Sequence, residues 1–322
     1  MGLQALVYAG TVGQSIWRSC DGGDTWSRAS GGALYMECDV RALVAHPHTG
    51  EILYAGTDEG FYRTNDGGDK WTHLSSPMDQ KQIWSLAIHP ENPDIIFAGT
   101  RPSGLYRTTD AGASWTQLHA GIETHCTPIV HTRVTTILTD PAERQTIFAG
   151  VEIDGVYRST DGGETWTSHK KGLNSLDVHG LAIIRSNPKT IIATTNAGIC
   201  RSMDNGETWS DLNVEETFPW GYCRGVITRH DDSGTLIIGN GNGPPGDCGS
   251  IQISDDLGES WREGPLPCRP NSTIWHFASC RRDPELIFAC TVSGQIYRSE
   301  DGGSTWKKLD REFGEIRTML AV

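Results

Sequence analysis

The pattern Ser/Thr-x-Asp-x-Gly-x-Ser/Thr-Trp occurs seven times in this chain. The copies end at Trp26, Trp71, Trp115, Trp166, Trp209, Trp261 and Trp306, and Lys70 is the one departure, at the penultimate place. Their aspartates (Asp21, Asp66, Asp110, Asp161, Asp204, Asp256 and Asp301) lie 45, 44, 51, 43, 52 and 45 residues apart. A repeat of this length is one supersecondary unit, and it buries its apolar surface only by stacking on its neighbours. Repetition also tells what the motif is for. A catalytic carboxylate is needed once and a turn is needed in every unit, so these aspartates read as scaffold. Asp accepts hydrogen bonds from backbone N–H groups two or so residues on, and Gly supplies a backbone angle that other residues resist. The Trp opens the next strand and covers the apolar side of the turn.

Between the motifs the segments align as strands. In one period "VRALVAHP" (40–47), "EILYAGT" (51–57), "GFYRTND" (60–66) and "WTHLS" (71–75) give four short alternating runs. Four antiparallel strands per period predict the blades of an all-β propeller. The chain opens on "ALVYAGT", a second strand, and closes on "EIRTMLAV", a first strand. Pairing the two completes blade one from both termini and removes an exposed edge. The expectation is a seven-bladed β-propeller with residues 1–322 as a single domain.

The seven motifs resemble Asp-box (BNR) repeats, and the resemblance runs through essentially the whole chain. It implies a β-propeller like those of sialidases, xyloglucanases, sortilin-type receptors and photosystem II assembly factors. Sialidases of this kind carry a Phe/Tyr-Arg-Ile-Pro motif near the start, where this chain reads "QSIWRS". Xyloglucanases set two catalytic aspartates between two propellers, and the repeats here account for one. The resemblance therefore implies neither activity for this chain. The assembly factors are single seven-bladed rings with an arginine patch that binds a protein. It also places ligands at the central channel, on the face opposite the Asp boxes.

Aligning the starts of the innermost strands gives one register position per blade: Arg41, Trp84, Thr135, His179, Arg224, Trp275 and Arg317. Arg133 lies two residues before Thr135. Guanidinium groups converging on one channel repel each other unless they are neutralised by Glu37, Asp39, Asp177 or Glu315, or by a bound anion. Trp84 and Trp275 supply apolar walls for a small organic ligand. The loops joining second and third strands add Asp58, Arg101 and Glu152, and the long loop Gly239–Ser250 lies on the same face.

Two functions follow as expectations. The first is an enzyme, a hydrolase or lyase, acting on a small anionic substrate that bears a carboxylate. In it His179 is the acid/base, Glu152 its carboxylate partner, and Arg41, Arg133, Arg224, Arg317, Trp84, Trp275, Asp58 and Arg101 bind substrate. It predicts a deep pocket of several hundred cubic ångströms. The alternative is a non-catalytic binding or assembly module that docks an acidic protein segment on the arginine face. It predicts a shallow channel whose arginines are paired with acids of the protein. No cofactor and no metal is expected, although His119, His125, Cys126 and His131 cluster in one insertion.

A net charge of −13 argues against nucleic acid and anionic membranes as partners. Nine cysteines without a Cys-x-x-Cys suggest free thiols and a cytoplasmic setting. The first twenty residues lack a basic start and a long apolar run.

Overall fold

Seven four-stranded antiparallel sheets radiate from one axis in the computed structural model, which describes residues 5–231 and 233–322. Each of six blades runs outward in chain order. The blade starting at Val40–Ala45 continues through Leu53–Thr57 and Gly60–Thr64 to Trp71–Leu74. The seventh takes its innermost strand, Ile316–Ala321, from the end of the chain. That strand pairs with Val7–Thr11, which is followed outward by Ile16–Ser19 and Ser27–Arg28. The protein is a seven-bladed β-propeller, with one short 3-10 turn at Val214–Glu216 as the sole helix among the described residues. None is long and apolar enough to cross a membrane.

The middle strands are buried on both faces, as in Val7–Thr11, Ile147–Val151 and Ile287–Thr291. Residues of neighbouring blades interdigitate in seven apolar clusters. Phe148 of one blade, for example, packs with Val178 and Ile191 of the next. The core is thus a ring of inter-blade layers rather than one central mass.

The repeated motif forms one turn in all seven places. Ser159 Oγ donates to Asp161, and Asp161 accepts from the Thr165 backbone N–H at 2.9 Å and from its hydroxyl at 2.6 Å. The invariant glycine sits at positive φ in every copy, from +83° at Gly206 to +96° at Gly23. The residue before it is also left-handed, even where it is Ala111, Asn205 or Leu257. The turns lie beside the loops joining first and second strands: Gly67 N–H donates to Glu51 O and Gly162 N–H to Gln145 O.

Candidate functional site

In every blade the pairing between innermost and second strand slips by one residue. The unpaired residue is Arg41, Trp84, Thr135, His179, Trp275 or Arg317 in six blades, and the slip spans Arg224 and Gly225 in the other. A β-bulge bends its strand and re-aims the extra side chain. Here seven bulges aim seven side chains at the axis, and all seven line one cavity at the end of the channel. The register position read from the sequence is the bulge position.

The cations and the indoles are interleaved. Arg133 and Arg41 stack on Trp84 with guanidinium carbons 4.1 and 4.7 Å from the ring centre. Arg224 and Arg317 stack on Trp275 at 4.0 and 4.7 Å. Such stacking stabilises a desolvated guanidinium by about 2 kcal/mol or more. Carboxylates complete three of the four. Asp39 pairs with Arg41 at 2.8 Å, Glu315 pairs with Arg317, and Glu152 grips Arg133 with both oxygens. Burial pushes the pKa values of Arg41 and Arg317 down, Arg317 to about 10, and the paired acids oppose this.

Arg224 differs. It is buried, and among the described residues no carboxylate lies within ion-pair distance of it. Burial lowers its pKa, the neighbouring Tyr222 hydroxyl opposes this, and the charge of Arg133 lowers it further. Asp177 and Glu152 offset its charge only from a distance.

His179 is enclosed, its side chain 1% exposed. Its Nδ1–H donates to the Cys223 carbonyl at 2.7 Å, and Nε2 lies 3.4 Å from Asp177 Oδ1. Burial, then the charge of Arg224, pulls its pKa down. Burial raises the Asp177 carboxyl, but the proximity of His179, then the charges of Arg224 and Arg133, leave its pKa lowered. Glu152 thus has both carboxylate oxygens engaged by Arg133, whereas His179 is engaged at Nδ1 and its Nε2 lies near Asp177 Oδ1, a buried oxygen without a hydrogen-bond partner.

Three expected ligand-binding residues do not line the cavity: Arg133, held by Glu152 over Trp84, and Asp58 and Arg101; nor does Glu152 itself. Asp58 accepts from Tyr35 Oη and the Asp39 backbone N–H, bracing the loop that carries Asp39. Arg101 donates to the Ile129 carbonyl at 3.1 Å and props the insertion after the third blade. That insertion is a hairpin in which His125 and His131 face each other, ring centres 4.7 Å apart. Among the described residues no three His, Cys, Asp or Glu are grouped to hold a metal ion. One titratable cavity residue is not evident from the sequence pattern: His276, directly after the bulge at Trp275. It accepts from the Met319 N–H at Nδ1, and burial, then Arg224, pushes its pKa to about 4. The cavity holds about 170 Å³, room for a few waters or one small anionic group.

The model of the DUF6242 beta propeller domain matches residues 97–314, more than half of the sequence. The chain belongs to the DUF6242 beta-propeller family. A second model, of sortilin (neurotensin receptor 3), matches residues 14–149 of this DUF6242 propeller. A xyloglucanase of Hypocrea jecorina (strain QM6a) is 31% identical over 101 residues, 31% of this chain and 12% of that protein. Xyloglucanase Xgh74A of Acetivibrio thermocellus is 24% identical over 316 residues, 92% of this chain and 28% of that protein. The chain therefore spans 28% or less of the curated relatives it matches. Among solved structures, the GH74 xyloglucanase from Xanthomonas campestris superposes with a TM-score of 0.72 at 16% identity, over 94% of this chain and 52% of that one. YCF48 bound to D1 peptide superposes with a TM-score of 0.57 at 18% identity, over 84% and 81%. At such identities the likeness is one of fold.

Proposed function

We propose that this propeller is a non-catalytic binding module whose channel mouth takes a carboxylate from an acidic segment of a partner protein. One observation carries this reading: Arg224 is a buried guanidinium over the Trp275 ring that lines the cavity without a carboxylate in contact. Guanidinium donors form a rigid fork that fits a carboxylate two-pronged. The other three arginines each already pair with an acid, Asp39, Glu152 or Glu315, although Arg41 and Arg317 keep an Nε without a hydrogen-bond partner, so Arg224 is the one left without a carboxylate.

The cavity volume also favours this reading over catalysis on a small substrate. About 170 Å³ falls well short of the 300–1,000 Å³ usual for organic ligands. Glycoside hydrolysis needs one carboxyl kept protonated and a second free to act. Here three acids are engaged by arginines, and the pKa of Asp177 is lowered rather than raised. A related fold in a peptide-bound structure, that of YCF48 with D1 peptide, is consistent with a docking role.

The test is calorimetric titration with a capped tetra-aspartate peptide, its asparagine counterpart, and acetate. The wild type should bind the acidic peptide, and the asparagine peptide should bind at least about tenfold more weakly. Arg224→Gln should lose about 2–3 kcal/mol of the binding, as expected for a charge-assisted contact, with no fall in melting temperature. Equal binding by Arg224→Gln, or no binding by the wild type at millimolar peptide, would refute the proposal. Acetate binding as tightly as the peptide would return the mouth to a small-molecule role.

A further inference from the structure

The opposite end of the channel opens into a second cavity of about 780 Å³, on the face of the repeated turns. It is walled by the far ends of the innermost strands and the loops that follow them. Leu181 and Val226 line both cavities and form an apolar waist between them. Below the waist, half-buried aliphatic side chains such as Val44, Ile88, Leu138 and Leu320 come from four different blades and ring the funnel. Leaving so many aliphatic groups partly wet in one concave place is costly for a surface that only has to meet water.

The rim has a definite charge. The chain carries 40 acidic residues against 27 basic ones, yet no Asp or Glu side chain lines this cavity among the described residues. Four arginines do. Arg229 is bound to Asp231 and Glu285. Arg281 and Arg282 are exposed, and no carboxylate lies within ion-pair distance of either among the described residues. Burial, then the charges of Arg281 and Arg185, lowers the pKa of His230 beside them, so this rim is a place where added positive charge is disfavoured. An aliphatic funnel under a rim that carries Arg281 and Arg282 complements one kind of molecule.

We propose that this second mouth is a binding site for a small amphipathic anion, with an aliphatic body seated in the funnel and a carboxylate or similar head at Arg281 and Arg282. The volume lies within the span usual for organic ligands, about 300–1,000 Å³. The site is separate from Arg224 and stands or falls independently of the docking role proposed above.

The probe is dodecanoate, kept below its aggregation concentration and titrated into the full chain by calorimetry. Wild type should bind one equivalent. The exposed double variant R281A/R282A should bind at least tenfold more weakly, and Arg224→Gln should bind as wild type does. Dodecyltrimethylammonium, with the same tail and opposite charge, and acetate, with the head alone, should both bind at least tenfold more weakly than dodecanoate. In NMR titrations the His230 imidazole should titrate at higher pH with dodecanoate than without it, because a nearby anion favours imidazolium. Equal binding of the cationic detergent would reduce the site to an apolar patch and overturn the proposal. So would undiminished binding by R281A/R282A, or loss of binding by Arg224→Gln. Displacement of dodecanoate by tetra-aspartate peptide would reassign the rim to a protein partner.

Discussion

At the scale of single residues, histidines and carboxylates divide the acid response of this protein. Hydrogen bonds from Thr25, Ser114 and Thr165 hold the turn aspartates Asp21, Asp110 and Asp161 at about 2. Their contribution to stability is therefore present above the unfolded carboxyl value, and it is lost only as pH falls through about 2. His276 acts earlier. Its native pKa of about 4 lies below the ordinary 6.5, so the unfolded chain binds a proton that the native state refuses. Stability is full above 6.5 and falls as pH drops from there to about 4, by up to about 3 kcal/mol for this residue. His46, His169, His179 and His230 are also lowered by burial and add to the same window. Urea midpoints measured from pH 7 to 4 should fall steadily in wild type. They should fall less in His276→Asn, whose amide oxygen can still accept from Met319 N–H. An equally steep fall in the variant would remove His276 from the account.

At the scale of strands, the bulge explains why the site was partly legible. The repeat supplies a register, and one residue per blade recurs at the start of each innermost strand. Arg41, Trp84, Arg224, Trp275 and Arg317 therefore align from the sequence alone. The bulge itself has no sequence signature, so His276, placed beside the cavity by the same kink, was not legible. Nor was the pairing of each arginine with its own acid, which depends on loops that do not repeat. Loop position alone points Arg101 and Asp58 at the mouth, but Arg101 turns to a backbone carbonyl and Asp58 to Tyr35 Oη and a backbone N–H. A second element-level device went unread: a small residue on the second strand where the next blade approaches. A Cβ at Gly99 would lie 2.4 Å from Ser85 Oγ and 2.5 Å from Val134 Cγ1 of the neighbouring blade. Gly99→Ala should cost about 1–3 kcal/mol through overpacking, read as a lowered urea midpoint. No change would mean that the blades are free to part there.

At the scale of the ring, the arginine that opens most copies of the motif is a fastener. Arg18, Arg107, Arg158 and Arg201 each reach a backbone carbonyl in the motif turn of the next blade. Arg298 does the same across the closure, donating to Gly22 O at 2.8 Å while paired with Asp24. It joins the last blade to the first alongside the strand pair Val7–Thr11 with Ile316–Ala321. Arg298→Ala should destabilise by about 1.5–3 kcal/mol, the range for a charged hydrogen bond in a buried setting, and should speed proteolysis near Gly22. A variant as stable as wild type would mean that strand pairing alone holds the ring. Seven such wedges exist here to aim unlike side chains at one axis, and the central claim is that one of them, Arg224, waits for a carboxylate. Crystals soaked in 4-bromobenzoate, whose aryl bromide does not alkylate the free thiols of the chain, test this most directly. The account predicts an anomalous bromine peak in the mouth cavity beside Arg224 and Trp275, absent in Arg224→Gln crystals. A mouth without a peak, or a peak that persists in the variant, would contradict it.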